Sequence, residues 1–287
     1  MSKPAASAWP DALARALAFC AAALLSCWLM RPLAADLRET LGARAALAAS
    51  SNPAVAPATP SAPPLRVLFV GNSLTAYNRM PSTIARLAAA AGEARPLAAN
   101  LLCPGGSHLN DQARQEEMKR RLARTRFDYV VLQNQSQVSG WPDRREEQML
   151  APGRVLAGLI AGNGARPLLY STFARRDGDF SEFQGDTYEA MQRRVNEGYT
   201  ALGTEIGATV VPIGRIWQET LRVHPTLRLW ALDGYHPSVA GSYLVACAFF
   251  AQLYDRSPVG NSHHAGLDPA DARTIQDSVA RVLAQAR

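Results

Sequence analysis

From residue 65 onward, apolar and polar positions fall into alternating blocks. Short apolar runs at Leu65–Val70, Leu97–Leu102, Phe127–Leu132, Arg166–Thr172 and Thr209–Ile213 are too brief for helices and read as strands. Between and after them lie longer stretches with helical spacing: Pro81–Gly92, Asn110–Thr125, Arg144–Ala161, Thr187–Ile206, Ser238–Tyr254 and Asp268–Ala286. Ser82 and Gly92 mark the start and end of the first of these. The strand segments are mostly apolar throughout, as expected when both faces are covered. Strands and helices taking turns in this way predict an α/β fold, a three-layer α/β/α sandwich around a central parallel sheet.

The first 64 residues follow a different pattern. Ala16 to Met30 is an apolar run flanked by Arg15 and Arg31. As a helix it would span roughly 22 Å at 1.5 Å per residue, short of the ~30 Å hydrocarbon core. It reaches further if Ala12–Ala14 join it and Arg15 snorkels. Basic flanks around an apolar centre favour a targeting segment. An uncleaved membrane anchor is the favoured reading, ahead of a cleaved signal peptide and a buried helix. A second helical stretch, Leu33–Ala49, mixes charges with apolar residues, and Ser50–Pro64 is rich in Pro, Ala and Ser. Such a segment is extended and semi-rigid. The expected organisation is therefore an anchor and helix over 1–49, a linker over 50–64 and a single domain over 65–287, exported to or tethered at a bacterial-type cell envelope.

Composition changes this picture little. With 287 residues, nearly half of them hydrophobic, the chain can bury a sizeable core. The net charge of +6 comes almost wholly from arginine, since Lys3 and Lys119 are its two lysines. No basic block interleaves with aromatics, which argues against a nucleic-acid partner. The cysteines at 20, 27, 103 and 247 lack metal-ligand spacing. A Cys103–Cys247 disulfide is left open by the sequence.

Four loops carry candidate chemistry, each where a predicted strand or helix begins or ends. After the first strand comes Gly71-Asn72-Ser73. It is neither a phosphate loop nor a Gly-x-Ser-x-Gly elbow, because Thr75 stands where the second glycine would be. Near the far end, Asp233 and His236 lie three apart in LDGYHPS. A serine hydroxyl needs a base, histidine is the usual one, and the imidazole needs a carboxylate to hold its tautomer. After the second strand, Gly105-Gly106 lets backbone approach a reacting atom. After the third, Gln133, Asn134 and Gln135 offer side-chain amides. His108 reads as a loop cap, and Tyr77, Trp141 and Tyr235 read by default as packing residues, with an acyl or sugar pocket wall as the alternative.

Together these blocks resemble the SGNH hydrolases, also called the GDSL-like family. FVGNSLT is similar to that family's first block, GGSHL to its second and DGYHPS to its last, over roughly Leu65 to Tyr254. The resemblance implies a flavodoxin-like sandwich and a serine esterase with Ser73 as nucleophile, His236 as base and Asp233 as its partner. It implies an oxyanion hole from the N–H groups of Ser73 and Gly106. The third block departs from the family's Gly-x-Asn-Asp: register puts Gln135 at the oxyanion position, with Asn134 the alternative. The implied substrates are small acyl esters, among them esters on carbohydrate or an envelope polymer. No metal or organic cofactor is implied. An O-acyltransferase with the same triad and a non-catalytic binding module of the same fold are the competing readings.

Overall fold

The computed structural model describes residues 62–285. The expected anchor and helix over 1–49, and all but the last three residues of the expected linker, lie outside the described residues. Five parallel strands form the sheet: β1 (Leu65–Val70), β2 (Leu97–Leu102), β3 (Tyr129–Leu132), β4 (Arg166–Tyr170) and β5 (Thr209–Val211). Their order is β2-β1-β3-β4-β5. The register pairs Val67 with Ala99 on one side and with Tyr129 on the other. The chain thus starts in the sheet interior, steps to one edge, then returns past β1 to build the other half.

Successive strand residues point to opposite faces, and the core divides accordingly. Val67, Phe69, Val131, Leu168 and Tyr170 pack on one side, Leu68, Val70, Val130, Leu132 and Leu169 on the other. Four helices cover each face. The first face holds α2 (Met80–Ala90), α8 (Ile213–Val223), α9 (Val239–Tyr254) and α10 (Pro269–Gln285). The second holds α3 (Leu109–Arg114), α4 (Glu116–Arg124), α6 (Ala151–Asn163) and α7 (Tyr188–Ile206). Two one-turn helices, α1 (Ser73–Ala76) and α5 (Ser136–Ser139), follow β1 and β3. Among the described residues, no helix is long and apolar enough to cross a membrane.

Several boundaries differ from the sequence reading for local reasons. The expected helix Asn110–Thr125 is two helices, because Gln115 takes an extended conformation (φ −71°, ψ 115°). The strand expected to run to Ile213 stops at Val211. Pro212 cannot donate to a ladder, and α8 begins directly after it. That helix escaped the sequence reading. Ser238 and Thr187 are not the first helical residues but caps, their hydroxyls accepting from Gly241 N–H and Ala190 N–H. Cys103 and Cys247 are both free thiols.

Candidate active site

In open sheets of this order, ligands bind beyond the carboxyl ends of the strands, where the chain reverses its progress across the sheet. Here that point lies between β1 and β3. Gly71-Asn72-Ser73 leaves β1 there, and Gln133-Asn134-Gln135 leaves β3 beside it.

The first turn is built by a buried amide exchange. Asn72 donates its N–H to Gln133 Oε1 (2.9 Å) and its side-chain Nδ2 to Ser107 O (3.0 Å), while its Oδ1 accepts from Leu74 N–H (3.1 Å). Thr75 Oγ1 also donates to Gln133 Oε1, at 3.0 Å. One asparagine therefore caps α1 and joins the ends of β1, β2 and β3. Gly71 has no room for a side chain: a Cβ would stand 2.6 Å from Gln133 Oε1 and 2.7 Å from Thr75 Oγ1. Ser73 is the first residue of α1, so its N–H has no helical acceptor.

The loop before α9 supplies the other half. Asp233 Oδ1 accepts the N–H groups of Tyr235 (3.0 Å) and His236 (2.9 Å), closing a tight turn with Gly234 at φ +76°. Asp233 Oδ2 lies 2.7 Å from His236 Nδ1, and His236 Nε2 lies 2.9 Å from Ser73 Oγ across 163 residues. A carboxylate can only accept, so Nδ1 carries the proton and Nε2 is left to accept from the serine hydroxyl. Burial works against ionisation of Asp233. The two backbone N–H groups and the imidazole outweigh it and hold the carboxyl below its ordinary range. Tyr77 stacks on the imidazole at 4.5 Å, the two rings nearly parallel, and Tyr235 tilts against it at 4.1 Å.

A cavity of about 70 Å³ opens beside Ser73, bounded by Gly106, Gln135, Ser136, Arg175 and Tyr235 among others. Gly106 sits at φ +70°, a conformation that favours glycine, and nothing crowds its α-carbon. Gln135 caps α5 through Oε1, which accepts from Val138 N–H at 3.0 Å, and its Nε2 donates to Gln137 Oε1 at 3.1 Å. An amide nitrogen carries two hydrogens, so one remains for a ligand. Asn134 is turned inward. Its Oδ1 accepts from Leu109 and Gln135 N–H, and its Nδ2 donates to Gln148 O. It braces the loop and does not border the cavity.

Comparison with solved structures bears on the fold. A protein of Slackia heliotrinireducens described as a candidate SGNH hydrolase is 26% identical, covering 65% of this chain and 97% of its own, with a TM-score of 0.53. The fold is that of the SGNH hydrolase superfamily. A DUF4886 family protein from Bacteroides uniformis shares the fold more extensively, with a TM-score of 0.65 over 78% of this chain and 96% of its own, at 17% identity. No family model and no curated protein matches the chain.

On this SGNH scaffold, Ser73, Asp233, His236, Gly106 and Gln135 come together at one cleft, and Tyr77 and Tyr235 flank it. Trp141 does not join them: its indole N–H donates to Asp179 Oδ2 (2.9 Å) and Arg144 lies over its ring. His108 caps α3, its backbone N–H donating to Asp111 Oδ2 at 2.9 Å. The sequence reading missed Arg175, which borders the cavity from the segment after β4. No motif marks it, and its neighbour Arg176 looks the same in the sequence. The bracing roles of Asn72, Thr75 and Gln133 were also missed. A buried amide directly after a strand is the signal that would have flagged them.

Proposed function

We propose that this protein is a serine esterase acting on small acyl esters, with Ser73, His236 and Asp233 as its catalytic triad. The observation that carries the reading is the unbroken contact chain from Ser73 Oγ to His236 (2.9 Å) and on to Asp233 (2.7 Å), next to an open cavity. In this reading Ser73 Oγ attacks the ester carbonyl while His236 Nε2 takes its proton. Asp233 steadies the imidazolium that forms. The developing oxyanion is held by the N–H groups of Ser73 and Gly106, with the spare hydrogen of Gln135 Nε2 as third donor. His236 then passes its proton to the departing alcohol, and a water activated by the same imidazole releases the acid. The cavity is small, about 70 Å³, and this favours short acyl groups. By its N-terminal sequence pattern, the enzyme works tethered at, or exported to, the cell envelope.

The test is turnover of p-nitrophenyl acetate and labelling by a fluorophosphonate by the full chain. Wild-type protein is expected to do both. Ser73→Ala is expected to lose all labelling and on the order of 10⁴-fold or more in kcat. Absence of labelling in folded wild-type protein would refute the reading. Membrane fractions washed with high salt test the tether: release by salt alone counts against it.

A further inference from the structure

Arg175 has an unusual setting. The backbone around it is pinned on both sides. Ala174 N–H donates to Gln192 Oε1 (2.7 Å), Trp230 Nε1 donates to Ala174 O (3.0 Å), and Arg176 N–H donates to Gly234 O in the catalytic loop (2.8 Å). Its guanidinium is aimed by a second pinned group. Gln137 Nε2 donates to Asp179 Oδ1 (2.7 Å) and Ser181 Oγ (3.0 Å), which leaves Gln137 Oε1 to accept from Arg175 Nη2 and Gln135 Nε2. The charge lies over the Tyr235 ring, 5.5 Å from its centre.

What the guanidinium lacks is a direct ion pair. Arg176, Arg194 and Arg144 nearby pair with Asp177, Asp186 and Glu182. Arg175 forms no such pair among the described residues, and its Nε is buried with no partner at all. The buried Asp179 carboxylate feels the Arg175 charge, but its oxygens are bonded to Gln137, Ser181 and Trp141 and not to the guanidinium. A partly buried guanidinium with donors left unused is costly. This one borders the cavity that Ser73 opens into.

We propose that Arg175 is a specificity-determining residue that binds a carboxylate carried by the ester close to the scissile bond. The inference rests on the esterase reading and narrows its substrates to anionic esters. The fork geometry of arginine suits a carboxylate, and hydrogen bonds to a charged group discriminate by roughly ten- to hundredfold. The carboxylate can belong to the alcohol or to the acyl part, and matched substrates separate the two.

The experiment measures kcat/KM for 4-acetoxybenzoate against its methyl ester, and for monophenyl glutarate against its methyl ester. Each value is divided by the rate of the same ester without enzyme. Wild-type protein is expected to prefer the anionic member of one pair by roughly tenfold or more, and the preference should shrink as NaCl is raised. Arg175→Gln is expected to bring that ratio to about one, and Arg175→Lys to an intermediate value. The ratio is readable even if the variants lose overall activity, and the salt series needs no variant. If wild-type protein hydrolyses both neutral esters in a Ser73-dependent way but prefers neither anion, this inference fails and the esterase reading stands. If Arg175→Gln slows both members of a pair equally, Arg175 serves the oxyanion or the fold and the inference is likewise overturned. If no ester is turned over, both readings fail.

Discussion

At the scale of single residues, the turn that presents Ser73 is tied together by side-chain amides. Asn72 spends its N–H, its Oδ1 and its Nδ2 on three different segments, and Gln133 serves both Asn72 and Thr75. Gly71 is there for space, since a Cβ would meet both partners of that exchange. Gly71→Ala should therefore destabilise by about 2 kcal/mol in urea unfolding, as overpacking does, and should lower esterase activity more than its stability loss explains. Gln135 and Asn134 can be told apart in the same way. Gln135→Ala is expected to lower kcat by roughly 10²-fold with little change in KM, the signature of a lost oxyanion donor. Asn134→Ala should show mainly as a lower melting temperature, because its amide braces backbone groups of Leu109, Gln135 and Gln148. Asp233→Asn keeps the tight turn but offers the imidazole the wrong partner, and a kcat loss on the order of 10⁴-fold is expected.

At the scale of elements, the question is how His236 is held near Ser73. The loop bearing Asp233 and His236 runs straight into α9, whose first turn packs tightly: a Cβ on Gly241 would lie 2.2 Å from Leu229 O and 2.5 Å from the Trp217 ring. Backbone cannot yield there, so Gly241→Ala should displace α9 and the imidazole with it. Loss of activity by roughly 10²-fold is expected, since a misplacement of about 1 Å costs that much. The segment after β4, which carries Arg175, is fastened by Asp186. Its carboxylate pairs with Arg194 at 2.7 Å and accepts Asp179 N–H at 2.7 Å. Burial pushes this carboxyl up, but the guanidinium and backbone donors win and hold it below its ordinary value. A depressed carboxyl stabilises the fold above its unfolded pKa of about 3.9, and that contribution fades as pH falls toward the folded value. Asp186→Asn should thus cost about 2 kcal/mol at pH 7, near the low end for a pair in which Arg194 keeps some solvent. The gap between variant and wild type should close below about pH 4.

At the scale of the molecule, two buried faces and one sheet make a single cooperative core within residues 62–285. Cys247 reports on it. It sits fully buried in α9, and burial pushes its thiol up to about 12. Alkylation mapped by mass spectrometry should leave Cys247 unmodified in native protein and modify it at the rate of global unfolding. Much of this architecture was legible in the sequence because it rests on short-range pattern. Continuous apolar strands, amphipathic helices and capping residues state their own type, and five parallel strands follow from their alternation. The loops bearing Ser73, Gly106, Gln135 and the Asp233–His236 pair were legible too, since each sits at the edge of such an element. The helix Ile213–Val223 was not, because its apolar residues read equally well as a continuation of β5 until Pro212 is seen to end the ladder. Nor was the role of Arg175. The sequence by itself determined which elements form and which residues stand at their ends, because those choices are made by neighbours along the chain. Only the tertiary structure decided that Arg175 makes no direct ion pair, that Asn134 turns inward while Gln135 faces the cavity, and that Ser73 meets His236. Those outcomes depend on contacts between segments far apart in the chain.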